Sequence, residues 1–244
     1  MTRIIILAAG KGARMNSVLP KVLVPLKNRP MISYLLDSIK AAEIDARPLI
    51  VVSPSNQGIV SEALKNYKLE YVVQEQQLGT GHAVACASKL LNENTKNVLV
   101  LYGDHPFFRS ASLKKIADLN PLSLTMMTTK LPDFSTWHKN FYHWGRIIRG
   151  LDKKIEKIIE FKDANAKELL VNEVNPAVMC FNKDWLLKNL SKLGNENKQQ
   201  EYYLTDLVKI AFKGGFVIDS LTVDPSEAIG INSVEELQVA ESLL

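Results

Sequence analysis

Short apolar runs rich in β-branched residues alternate with segments of helical period along the 244 residues. That alternation is the pattern of a mainly parallel sheet with helices packed on both faces, because parallel strands have to be joined by crossover connections. Residues 3–7 read as the first strand. Residues 31–42 read as the first long helix, since Ile32, Leu35, Leu36 and Ile39 share one helical face. Strands follow at 48–52 and 69–73, then a helix at 80–91; residues 97–101 are nearly all apolar, as a strand buried on both faces requires. Past residue 120 the rhythm loosens: 122–129, 146–149 and 174–181 read as strands, and 202–212 and 233–244 as helices. With no internal repeat or low-complexity linker, the sequence predicts a single α/β domain over 1–244, a Rossmann-like mixed, mainly parallel sheet with helices on both faces.

A chain with 46% hydrophobic and 23% charged residues is built to bury a core. Thirty Lys and Arg against 26 Asp and Glu leave a formal net charge of +4. That charge is spread without a basic tract, which favours small anions as partners and argues against nucleic acid. The apolar runs are strand-sized, and the first leads into Gly10-Lys-Gly12 without a cleavage pattern, so neither a signal peptide nor a membrane span is expected. Cys86 and Cys180 lie far apart and suit a reducing cytoplasm better than a disulfide framework or a zinc site. No feature of the sequence sets an oligomeric state.

In open α/β sheets ligands bind beyond the carboxyl ends of the strands, which singles out the segments after 3–7 and 97–101. The first is Leu7-Ala-Ala-Gly-Lys-Gly-Ala-Arg-Met15, dense in small residues and cations. Small residues let backbone N–H groups close on an anion. Lys11 adds a charge, and Arg14 can take phosphate oxygens two at a time. Met15 stands where the GxGxxG dinucleotide fingerprint needs glycine, and the GxxxxGK phosphate loop is missing as well. Leu19-Pro20-Lys21 sets another lysine behind a stiff proline. The second segment is Tyr102-Gly103-Asp104. A carboxylate there is a ligand that a hard Mg²⁺ uses together with phosphate oxygens, while Ser110 is the better candidate to cap the next helix.

The first loop with Leu19-Pro20-Lys21 resembles the signature of the nucleotidyltransferases that make nucleoside-diphosphate sugars. The likeness continues in order through Gln74-Glu-Gln-Gln-Leu-Gly-Thr-Gly-His-Ala83, Tyr102-Gly103-Asp104, Gly145-Arg-Ile-Ile-Arg149, Glu160-Phe-Lys-Asp-Ala164, Glu201-Tyr-Tyr-Leu-Thr-Asp206 and Gly230-Ile-Asn232. Within that family the chain is most similar to the uridylyltransferase half of the bifunctional bacterial enzymes that make UDP-N-acetylglucosamine, a cell-envelope precursor.

The resemblance implies the nucleotide-diphospho-sugar transferase fold and a cytoplasmic, Mg²⁺-dependent sugar-1-phosphate uridylyltransferase, or pyrophosphorylase. Its substrates would be UTP and N-acetylglucosamine 1-phosphate, and its products UDP-N-acetylglucosamine and pyrophosphate. Leu7, Ala8, Ala9, Gly10, Lys11 and Gly12 would cradle the nucleotide, with Lys11 and Arg14 on the departing phosphates and Lys21 on the incoming sugar phosphate. Arg14, Lys21 and Asp104 are then the catalytic candidates, and Asp104 and Asn232 jointly hold the magnesium. Gln74, offering a donor and an acceptor, would read the uracil beside Gly79 and Thr80 at a helix start. Tyr102 and Gly103 belong to the same site, and Gly145, Glu160 and Asn175 are the implied sugar contacts. No C-terminal left-handed β-helix acetyltransferase domain is expected in the chain.

Two stretches depart from that pattern. The usual Asn-Thr-Gly is Asn175-Pro176-Ala177 here, where proline removes an N–H and alanine narrows the space. The aromatic stretch Trp137-His-Lys-Asn-Phe-Tyr-His-Trp144 lengthens the connection before Gly145. Both bear on the sugar, so transfer to a different sugar 1-phosphate or with another nucleotide is one alternative, and a non-catalytic nucleotide-sugar sensor is another. His138 and His143 read as ordinary amphipathic residues rather than a metal pair.

Overall fold

The computed structural model describes residues 1–10 and 12–244. The chain opens with β1 (Thr2–Leu7), a short pair β2 (Pro25–Leu26) and β3 (Arg29–Pro30), and α1 (Met31–Ala42). Then come β4 (Leu49–Val52), α2 (Gln57–Ala63), β5 (Glu70–Val73), α3 (Thr80–Ser88), β6 (Asn97–Tyr102) and α4 (Ser110–Asp118). The second half comprises β7 (Leu124–Lys130), β8 (Arg146–Arg149), β9 (Ile155–Ile159), β10 (Glu173–Val174), β11 (Met179–Asn182), α5 (Lys183–Leu190), α6 (Asp206–Lys213), β12 (Asp219–Thr222), α7 (Pro225–Ala228) and α8 (Val234–Ser242).

One mixed sheet runs through both halves in the order β5-β4-β1-β6-β11-β7-β10-β8-β9, with β12 beside β7. β5, β4, β1 and β6 are mutually parallel, and β11 enters antiparallel between β6 and β7. Alternate residues of β1 explain why its stretch 4–7 is apolar throughout. Ile4 and Ile6 pack with Ile32, Leu35, Leu36 and Ile39 of α1, while Ile5 faces the opposite cluster with Val84 of α3 and Leu207, Val208 and Ala211 of α6. Helices therefore cover both faces, and the periodicity of 31–42 is that of a buried face.

Three elements differ most from the sequence reading. The strand expected at 174–181 is broken into β10 and β11, because Pro176 has no N–H for a ladder and Ala177 has φ 60°. The helix expected from 202 begins only at Asp206. Residues 202–204 instead dock on the start of α3: Tyr202 N donates to Leu78 O at 2.9 Å, Gly81 N to Tyr202 O at 2.8 Å and Leu204 N to Thr80 Oγ1 at 3.0 Å. The helix expected over 80–91 stops at Ser88. Ser110 is the first residue of α4 and not its cap; the N–H of Arg109 is taken by Glu227 Oε2 of α7 at 3.1 Å. Among the described residues no helix is long and apolar enough to cross a membrane.

Candidate active site

The parallel strands β1 and β6 end side by side, and Gly103 N donates to Leu7 O at 3.0 Å. A Cβ on Gly103 would meet Val22 Cγ1 at 2.9 Å and Ile32 Cδ1 at 3.1 Å, so the glycine lets this junction close over the core. Beyond β1, the Ala8 N–H continues the pairing with β4 by donating to Val51 O at 2.8 Å, and is therefore spent before any anion arrives. Asn56 Nδ2 and Gln77 Nε2 hold the Ala8 and Ala9 carbonyls at 3.0 and 2.7 Å. Gly10 has nothing within 4 Å of a would-be Cβ and leaves the loop open. Gly12 turns the chain with φ 61°, and a Cβ there would strike Lys21 Cβ at 2.6 Å; only glycine meets both conditions. Lys11 lies outside the described residues.

A cavity of about 520 Å³ opens over these strand ends. Leu7, Ala8, Ala9, Gly10, Lys21, Gln74, Gly79, Thr80, Tyr102, Asp104 and Asn232 all line it, as do Val22, Gln77, Ala83 and Glu201, which sequence reasoning did not assign. Gly79 has φ 109° and lies so close to the Tyr202 backbone that a Cβ would sit 2.7 Å from its carbonyl oxygen. Thr80 does not cap α3 with its side chain; its hydroxyl receives Leu204 N instead. Gln74 is buried, and both recorded contacts of its amide use Nε2, to Gly79 O and His82 Nδ1.

A second cavity of about 260 Å³ adjoins the first. Arg14, Gly145, Glu160 and Asn175 line it, so the arginine assigned by sequence to the departing phosphates stands on the side of the implied sugar contacts. Thr80, Tyr102, Asp104, Glu201 and Asn232 line both cavities and form the seam between them. The backbone draws the sugar-side residues together: Asn175 N donates to Gly145 O at 2.9 Å, and Asn175 Oδ1 accepts Ala177 N at 2.9 Å. His105, His143, Trp144, Ala177, Gln199, Tyr203, Thr205 and Glu236 complete the wall. The aromatic stretch thus reaches the site, and its anchor is the buried Arg146, whose guanidinium donates to the Trp144 carbonyl and, at 2.8 Å, to that of Tyr142. His138 packs at a tilt against Trp137, and His143 packs edge-on to Phe161.

At the seam Lys21 Nζ meets the Asp104 carboxylate and, at 2.6 Å, Asn232 Oδ1. Burial pulls the Asp104 carboxyl upward, but the Lys21 ammonium and His105 outweigh it and hold the group below the usual carboxylate range. His105, buried behind it, is pushed down by burial against the pull of Asp104. Asn232 is set by backbone and cap together: Ile231 N donates to Asp104 O at 2.9 Å, Ser233 Oγ accepts Glu236 N at 3.3 Å, and Glu236 reaches back to the Asn232 N–H. The Ser-x-x-Glu pattern at 233–236 is the sequence signal that would have found Glu236. A carboxylate and an amide oxygen that already converge on one cation are a donor set suited to a hard divalent ion, with phosphate oxygens supplying further ligands.

The two cavities thus share Asp104 and Asn232, with Lys21 beside them in the larger one. Residues 4–128 match the model of the MobA-like NTP transferase domain. The chain belongs to that family. This NTP transferase chain is 37% identical over 243 residues to the bifunctional protein GlmU of Clostridium novyi, covering 98% of the chain and 51% of the relative. It is 38% identical over 244 residues to GlmU of Shouchella clausii, covering 98% of the chain and 52% of the relative. The chain therefore spans about half the length of the curated relatives it matches. In fold it resembles a Bacillus anthracis protein assigned as a glucose-1-phosphate thymidylyltransferase and crystallised with sucrose. The TM-score is 0.77 at 18% identity, over 100% of this chain and 95% of that one.

Proposed function

We propose that residues 1–244 act as one sugar-1-phosphate uridylyltransferase, converting UTP and N-acetylglucosamine 1-phosphate to UDP-N-acetylglucosamine and pyrophosphate. The observation that carries the reading is the pair of cavities sharing Asp104 and Asn232 with Lys21 at the seam. The larger would take the nucleotide on the 8–12 loop with its base beside Gln74, Gly79 and Thr80. The smaller would take the sugar between Gly145, Glu160, Asn175 and Trp144.

In that arrangement an oxygen of the sugar phosphate attacks the α-phosphorus of UTP. A new P–O bond forms, the bond to the β-phosphate breaks, and pyrophosphate leaves with the electron pair. The nucleophile is already an anion and needs no general base, so the protein's work is positioning and charge neutralisation. Lys21 would leave its contact with Asp104 to hold the sugar phosphate against the α-phosphoryl group, and Arg14 would draw on phosphate oxygens from the rim. Asp104 and Asn232 would hold a magnesium ion, which when bound neutralises charge on the phosphate oxygens. Two free thiols and the small anionic substrates suit a cytoplasmic protein.

A second reading, transfer to a different sugar 1-phosphate, is favoured by one feature: Ala177, which follows Pro176, and Trp144 line the cavity where the sugar would lie. Pyrophosphate release with a panel of nucleoside triphosphates and sugar 1-phosphates, with and without Mg²⁺, separates the readings. Release with UTP and N-acetylglucosamine 1-phosphate supports the first and preference for another sugar the second. Binding of UDP-sugars without release from any pair means a sensor.

A further inference from the structure

Gln74 is only 3% exposed, and its amide nitrogen makes two contacts: 3.1 Å to the Gly79 carbonyl oxygen and 3.1 Å to His82 Nδ1. A backbone carbonyl can only accept, so Gly79 determines which end of the Gln74 amide is the nitrogen. That nitrogen has two hydrogens and no lone pair to give, so His82 Nδ1 is an acceptor and the ring proton sits on Nε2. His82 Nε2 in turn faces Cys86 Sγ, one turn along α3, at 3.8 Å. The chain of donors and acceptors runs in one direction, from Gln74 Nε2–H to Nδ1 and from Nε2–H to sulfur. Both amide hydrogens are then consumed inside the protein. The one group Gln74 has left for the cavity it lines is its carbonyl oxygen, rather than the donor and acceptor pair its residue type suggests.

We propose that His82 is a positioning residue that holds Gln74 as an acceptor-only reader of the nucleobase. The cavity then takes a base whose edge offers a ring N–H, as uracil does at N3, and rejects one that presents a lone pair at that place, as cytosine does. The inference rests on the reading of this cavity as the nucleotide site and names the determinant of its base preference. A flexible amide without His82 could turn over and serve either base. With Nε2 held at two points, reversing it would set the amide oxygen against both the Gly79 carbonyl and the Nδ1 lone pair.

The test is equilibrium binding of UTP and CTP to the wild-type chain, His82→Phe and His82→Asn. Opposing lone pairs with no hydrogen bond should give the wild-type protein a preference for UTP of about 10- to 100-fold. His82→Phe keeps a ring but removes one of two holds on the amide, and the preference should fall about five- to tenfold. His82→Asn can return an acceptor oxygen to the place of Nδ1 and should restore most of the preference. Equal affinity for UTP and CTP in the wild type, or an undiminished preference in a folded His82→Phe, overturns the proposal. Where the variant fails to fold, the ¹⁵N spectrum of the wild-type histidines decides: a His82 proton on Nε2 supports the proposal, and one on Nδ1 overturns it. Because binding is read and not turnover, a protein that prefers UTP yet releases no pyrophosphate refutes the transfer reaction and leaves the role of His82 standing.

Discussion

Lys21 Nζ lies 2.6 Å from Asn232 Oδ1, a contact that joins positions 211 residues apart. The same ammonium meets Asp104 at the end of β6, so three segments close on one positive charge. Asp104→Asn removes the negative member while leaving side-chain size almost unchanged. Pyrophosphate release in Mg²⁺ should drop by about 10²- to 10³-fold or more, the scale of losing a group that stabilises charge in the transition state, with an unchanged far-ultraviolet circular dichroism spectrum. Activity near the wild-type level would remove Asp104 from the mechanism.

Ala177 occupies left-handed backbone at φ 60°, where a side chain crowds the following carbonyl. Glycine is free of that crowding but costs entropy in the unfolded chain, so the two effects oppose each other. Ala177→Gly should raise stability by about 0.5–1 kcal/mol, read from the denaturant midpoint at unchanged slope.

Arg146 is fully buried, and its guanidinium lies 4.6 Å from the Phe134 ring centre, with no carboxylate among its recorded partners. Its fork spans the carbonyls of Tyr142 and Trp144, a task a lysine ammonium does poorly. Arg146→Lys should cost about 1–3 kcal/mol, seen in thermal melts. It should also raise KM for the sugar 1-phosphate more than for UTP, since Trp144 lines the cavity proposed for the sugar.

Burial pushes the Glu160 carboxyl above its usual range, with Asp206, Asp163 and Glu201 adding to the shift and the Thr205 hydrogen bond, at 2.9 Å, opposing it. A folded-state value above the unfolded one means that the folded chain binds the proton more tightly. The stabilisation is present below the ordinary glutamate range and is lost as pH rises through the elevated folded value. Glu160→Gln should therefore flatten the fall in stability between acidic and neutral pH. Urea titrations across that range check it, and parallel pH curves for the two proteins would contradict it.

Cys180 is 0% exposed, and burial pushes its thiol up to about 12. Cys86 is partly exposed, with its thiol also raised by burial. A thiol reagent at pH 8 should label Cys86 slowly in the native chain and reach Cys180 only on unfolding, which a time course of labelling followed by peptide mapping would show.

In the first half of the fold β1, α1, β4, β5, α3 and β6 were legible because each carries its own signal: a central strand is apolar on both faces, and α1 repeats its buried face along the helix; β2, β3 and α2 went unread. In the second half the decisive groups are remote. Nothing within 202–205 says that its backbone will pair with Leu78, Thr80 and Gly81 instead of turning into helix. Pro176 could be read as a break, but the register of β10 and β11 along β7 depends on a positive φ at Ala177 that no alanine advertises. The site divides in the same way. The loops after β1 and β6 lie where strand ends must put them, whereas Trp144, His143 and Glu201 come to it from connections far along the chain. Gln74 was legible as a polar candidate, but the orientation of its amide is dictated by a carbonyl and an imidazole.

Asn232 arrives at Asp104 through the Ile231 N–H and the cap of α8, near the far end of the chain. During synthesis the strands β1, β4, β5 and β6 and the covering helices α1 and α3 leave the ribosome early and can pair among themselves. In the proposed reading, a divalent ion would lack its second protein oxygen until Asn232 emerges. On that reading a nascent chain would acquire the proposed nucleotide cavity before it could do chemistry there, and a truncation just ahead of residue 232 should yield a folded sheet that holds nucleotide but transfers nothing.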